Sequence, residues 1–187
     1  MVSDVQRTPC VYHVDSEHRI VHVNDEWDVF AKENDAPDLT RDAVLGKVLW
    51  GYVFDRETRH LYRVAIEKVL SRKASVSFPF RCDAPHIRRH MRMEVNPLEG
   101  DRCQFTSTIV REEPRERVDL LGVDETRTQE SLRMCSWCKK LDADEAGWLE
   151  VERGIEELDL FRSATLPSIT HTICPLCFKE AMAQIRR

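Results

Sequence analysis

The chain has 187 residues, 42% hydrophobic and 33% charged, with 6 glycines and 8 prolines; this is enough for one ordinary globular domain and a smaller companion, and unlike a disordered or fibrous chain. The formal net charge of −5 creates no overall field that attracts nucleic acid, and Arg88-Arg89-His90 reads as a solvated basic face, so nucleic acid is not an expected partner. No apolar run approaches the roughly 18 residues needed to cross a bilayer, and the first residues hold no signal-peptide core, so no membrane association and a cytoplasmic location are expected.

Residues 10–24 alternate as two short strands, Cys10 to Val14 and Ile20 to Asn24, around the polar turn Asp15 to His18. Asn24 or Asp25 is placed to cap a helix in which Trp27, Phe30 and Ala31 form the apolar stripe, and Asn34, Asp35 and Pro37 end it. Val44 to Phe54 reads as a turn and a short packed segment. From Asp55 to Arg72 two adjacent i+4 rows, Leu61/Ala65/Val69 and Tyr62/Ile66/Leu70, predict the longest helix.

Period two then takes over, with Val76, Phe78, Phe80 and Cys82 on one face. Pro79 lacks an N–H and places this strand at an edge or bulge. Met91, Met93 and Val95 continue in a second strand, and a turn at Leu98 to Asp101 leads into a third, Cys103 to Val110. The order predicts an α+β fold: a five-stranded antiparallel sheet with helices on one face, the long helix carrying the chain from one edge to the other. Arg111 to Glu130 is charged and poor in apolar periodicity. It divides the chain into a domain at 1–112, a linker at 113–130 and a module at 131–187.

The stretches "YHVDSEHRIVHVNDEWDVFAKEN", "LGKVLW" and "FPFRCDAPHIRRHMRMEVNPLEG", in this order of elements, resemble a PAS domain over about residues 10–112. PAS domains are sensory and dimerisation modules that hold a cofactor or metabolite between sheet and long helix, or hold nothing. The resemblance implies a signalling role, a homodimer and a protein partner, and names no ligand. A haem ligand would have to be His60 or His90, and both read as surface residues. Cys82 reads as an inert core thiol; Cys10 and Cys103 follow no pattern.

Seven cysteines, an odd number, in a reducing compartment are not a disulfide framework. Four form two C-x-x-C turns, Cys135/Cys138 and Cys174/Cys177, and two such turns complete a tetrahedron around Zn²⁺. Trp148, Val151, Ile155 and Leu158 predict a helix between them, and Phe178, Ala181, Met182 and Ile185 a second helix opened by Cys177, as in a treble-clef or zinc-ribbon-like module. The helix N-terminus favours the thiolate charge, and a module this small gains folding energy from the ion. The predicted ligands of this structural Zn²⁺ are Cys135, Cys138, Cys174 and Cys177. His171 is a fifth candidate, as an alternative ligand or as a donor to a thiolate. "MCSWCKKL", "GWLEVE" and "THTICPLC" resemble a cysteine-rich extension that follows PAS or receiver domains in bacterial signalling proteins. Leu160 to Ile169 departs from that pattern.

These features predict a sensory or adaptor protein that acts through protein association. No Ser/His/Asp set, phosphate-binding glycine loop or H-E-x-x-H is present, and Glu156-Glu157 reads as a solvated helical face, so no enzyme is expected. Two alternatives stand beside this reading. One is a redox sensor whose zinc thiolates, with Lys139 and Lys140 beside them, oxidise and release the ion. The other is an iron or iron–sulfur site on the same cysteines. Cys135→Ser is expected to unfold the C-terminal module and spare the first domain.

Overall fold

The computed structural model describes residues 7–34, 36–122, 126–160 and 165–186. The first strands, β1 (Cys10–Val14) and β2 (Ile20–Val23), pair antiparallel. Helices α1 (Glu26–Glu33), α2 (Arg41–Val44) and α3 (Arg56–Arg72) follow, with a single 3-10 turn at Leu49–Gly51. Strands β3 (Val76–Arg81), β4 (Ile87–Leu98) and β5 (Arg102–Pro114) complete a sheet of order β2-β1-β5-β4-β3. Every pairing is antiparallel, and β2 and β3 are the edges, so α3 carries the chain across the sheet as the sequence predicts. This is the PAS-like fold.

Pro79 lies on the edge strand β3, where its missing N–H breaks no ladder. The buried row of α3, Leu61, Ala65, Ile66 and Val69, packs on Val14, Val95, Cys103 and Phe105 from the sheet. Asp55 caps α3 by accepting from the Thr58 N–H at 2.8 Å. The cap expected for α1 takes a different form. Asp25 makes no side-chain cap, and the Asn24 side chain instead ties the Pro9–Val11 backbone to the end of β2, at 2.8 and 3.0 Å. Asp35, expected to help end α1, lies outside the described residues.

The expected linker is largely structured. Strand β5 runs on to Pro114, Asp119–Leu121 forms a 3-10 turn, and β6 (Arg127–Cys135) begins before residue 131. Val118 and Leu120 are buried with Leu132, Met134, Leu141, Val151 and Ile155 in a second core. Here β7 (Leu141–Asp142), β8 (Trp148–Leu149) and β9 (Leu166–Thr172) join β6 in a sheet of order β8-β7-β6-β9. Helices α4 (Val151–Glu157) and α5 (Pro175–Arg186) complete the chain. Trp148, read as helical, belongs to β8, because Gly147 at φ +77° turns the chain into a strand first. Within Leu160 to Ile169, residues 161–164 lie outside the described residues and residues 166–169 belong to β9. No helix among the described residues is long and apolar enough to cross a membrane.

The first core does not stop at β5. Cys135, Trp137, Ile173, Cys174 and Cys177, with Ala181, Met182 and Ile185 of α5, continue the cluster that contains Leu61, Val69 and Phe78. The α5 stripe expected from the sequence therefore packs on the PAS-like domain rather than on a core of its own.

Candidate metal centre

The two cysteine pairs meet because β6 and β9 run parallel. Parallel strands end on the same side of a sheet, and Cys135 stands opposite Thr172. The chain leaving each strand enters a C-x-x-C turn at once, and the Ser136 N–H donates to the Thr172 carbonyl at 2.7 Å. The first turn bends back into β7 with Lys139 at φ +61°, closed by Lys139 N–H to Cys135 O at 3.0 Å. The second turn is the start of α5. Pro175 takes its first position, where no N–H is needed. Cys174 caps the helix with sulfur, its Sγ accepting from the Cys177 N–H at 3.4 Å.

The Sγ atoms of Cys135, Cys138, Cys174 and Cys177 all lie within 4.8 Å of one another. Cys138 and Cys174 are 3.9 Å apart, against about 3.8 Å for the edge of a tetrahedron with metal–sulfur bonds of about 2.3 Å. All four are free thiols. Cys135 Sγ accepts from the Cys138 N–H at 3.5 Å and the Cys174 N–H at 3.4 Å. Donors from Cys138 and Cys177 hold the Cys135 thiol far below its ordinary range. Donating to Cys135 pushes Cys138 up to about 12, and donating to Cys135 and Cys138 raises Cys177 too. The cluster thus favours a thiolate at Cys135, beneath two peptide N–H groups. It is a group able to hold a metal ion.

His171 is not among these side chains. It lies exposed on β9 opposite Met134, and the four-cysteine set expected from the spacing is the one the fold assembles. His60 is exposed on α3 and stacks on Phe178 of α5 at 6.2 Å. His90 is half-buried beside Glu113 and Arg111, not fully solvated as its phase suggests. The basic triplet is neutralised as well: Arg88 pairs with Glu152 at 3.1 Å and Arg89, 6% exposed, with Glu112 at 3.2 Å. Cys10 and Cys103 have thiols pushed up to about 11 by burial, and burial raises Cys82.

Sequence reasoning missed what the first turn does between its cysteines. Ser136 Oγ donates to Asp55 Oδ2 at 2.7 Å, on the carboxylate that caps α3. Trp137 packs on Phe78 at 4.7 Å and edge-on against Tyr62 at 6.5 Å, and its carbonyl accepts from the Arg81 N–H of edge strand β3 at 2.7 Å. Arg81 is 8% exposed, held by Asp83 and by Glu150 at the start of α4. An aromatic residue inside a C-x-x-C was the one available signal; its partners lie far away in sequence. On the other side of the PAS-like core, Cys10, Tyr12, Trp27, Tyr62, Met91 and Met93 help to line an apolar cavity of about 280 Å³.

Neither a protein-family model nor a curated protein sequence matches the chain. It is similar to a domain of an HTR-like protein from Haloarcula marismortui, at 19% identity over 55% of this chain and 97% of that one, with a TM-score of 0.39. A sensory box sensor histidine kinase from Vibrio cholerae matches at 13% identity over 55% of this chain and 82% of that one, with a TM-score of 0.42. The PAS domain of Bordetella pertussis BvgS matches at 19% identity over 55% and 76%, with a TM-score of 0.40.

Proposed function

We propose that this is a PAS-type sensory or adaptor protein, a binding module and not an enzyme, that works through association, first as a homodimer and then with a protein partner. Its C-terminal module folds around one structural Zn²⁺ held by Cys135, Cys138, Cys174 and Cys177. The observation that carries the metal reading is the convergence of four Sγ atoms within 4.8 Å, with backbone N–H groups donating to Cys135 and Cys174. Four thiolates suit zinc, and a closed four-ligand set leaves no open position for catalysis. The PAS-like sheet order and the apolar cavity beneath α1 support the sensory reading. A reducing compartment such as the cytoplasm keeps such thiols free.

Elemental analysis and a visible spectrum of the full chain test this. One zinc per chain and no visible absorption are expected; iron, colour, or unchanged metal content in Cys135→Ser would overturn it. Sedimentation of the zinc-loaded protein is expected to give a dimer, and a monomer at all concentrations would remove the homodimer. The 3.9 Å separation of Cys138 and Cys174 favours one second reading, the redox sensor. Peroxide would take two electrons from this pair, forming a disulfide and water and releasing the ion. Oxidation that frees zinc without changing the oligomer would exclude it.

A further inference from the structure

Trp137 stands between two of the proposed ligands, yet its ring belongs to the other half of the molecule. It fills space between Phe78 of β3 and Tyr62 of α3 and is 7% exposed. Tyr62 stacks on Phe105 at 5.7 Å, Phe105 on Tyr12 at 4.7 Å, and Tyr12 meets Trp27 edge-on at 5.7 Å. Tyr62, Tyr12 and Trp27 also line the apolar cavity. Tyr62 is therefore a wall shared by Trp137 and the cavity.

The turn that presents Trp137 is short. Beyond the cysteines, it is tied to the first domain by the Ser136–Asp55 bond and the Arg81 N–H to Trp137 carbonyl bond. Without a cation, so small a segment loses the element that organises it. A tryptophan buries roughly 150–250 Å², so its departure leaves an apolar void beside an existing one, and such voids take up apolar guests.

We propose that the metal centre and the cavity are coupled through Trp137: the bound ion seats the indole between β3 and α3, and loss of the ion vacates that space, lets the Tyr62 wall swing into it, and so enlarges the cavity to admit a small apolar ligand. This rests on the four-cysteine reading above and adds a regulatory consequence to it. Linkage makes the effect reciprocal, so a ligand that displaces Trp137 weakens metal binding by the same factor.

Naphthalene, a bicyclic match for indole, serves as the probe on the full chain labelled with ¹³C at the methionine methyls. Met91 and Met93 line the cavity, whereas Met134 sits in the second core and is the control. Chelation of the zinc, or Trp137→Ala in the zinc-loaded protein, is expected to tighten naphthalene binding roughly tenfold to a hundredfold, with shifts at Met91 and Met93 and none at Met134; Trp137→Phe restores the weak binding. In the wild type, saturating naphthalene is expected to lower zinc affinity by the same factor in competition with a chromophoric chelator. This arm needs no variant and decides the matter if Trp137→Ala does not fold. Zinc uptake with naphthalene affinity unchanged to within about twofold overturns the coupling alone. A chain that takes up no metal overturns the coupling and the four-cysteine reading together.

Discussion

Between Cys135 and Cys138 stand Ser136, bonded to the cap of α3, and Trp137, 7% exposed against Phe78; between Cys174 and Cys177 stand Pro175, which opens α5, and Leu176, 60% exposed. The spacing is the same because each turn must offer two sulfurs to one centre. The residues inside differ because the turns face different surroundings. One closes the β6–β7 hairpin against another domain's core, and the other starts a helix with its tip in solvent. Ligand geometry and docking are thus separate properties of a C-x-x-C turn, and paired substitutions separate them.

The largest effect is expected at the four clustered cysteines. Cys135→Ser removes a sulfur that accepts two peptide N–H groups, and the metal-dependent part of the fold should be lost, a cost above about 4 kcal/mol. Because Cys135, Trp137 and Met182 share a core with Leu61 and Phe78, the first domain should keep its fold but melt at a lower temperature, contrary to the sequence expectation that this domain is spared. Thermal unfolding followed by near-UV circular dichroism checks this; a native melt for the first domain would show that the shared core is not cooperative. Next in size, Trp137→Ala should cost about 3–5 kcal/mol in urea unfolding, while Leu176→Ala should stay within about 0.5 kcal/mol. Equal losses would break the distinction between a docked turn and an exposed one.

Most of the PAS-like fold was legible because its signals are local. The alternation of Val76, Phe78 and Phe80, the paired rows on α3 and the breaker at Pro79 each read correctly without knowledge of any partner. The four clustered cysteines were legible for the same reason, as spacing within each turn. What could not be read was long-range. Strand β6 lies in a charged stretch whose only strong apolar residues, Leu132 and Met134, come at its end, and its pairing with β9 is parallel across a crossover. Arg89 looked solvated because charge normally marks a surface; its burial depends on Glu112 and Asn34. The α5 stripe announced a buried face but not which core it would enter.

Smaller effects than at the cysteines and Trp137 are expected at the second residue of each turn. Ser136→Ala removes a hydrogen bond to a charged acceptor, worth about 1.5 kcal/mol. It leaves no orphan, since Asp55 still accepts from the Thr58 backbone and hydroxyl. Pro175→Ala changes no hydrogen bond, because the first N–H of a helix lacks an intrahelical partner. Its cost is the added freedom of the unfolded chain, about 0.5 kcal/mol. Both differences can be measured by urea unfolding of the zinc-loaded protein, and a double-mutant cycle of Ser136→Ala with Asp55→Ala isolates the first. A coupling of about 1 kcal/mol is expected if the hydroxyl ties the metal turn to the α3 cap. Strict additivity would leave Trp137 as the anchor of the turn, and the same energy would then have to be carried by the indole and the Arg81 bond.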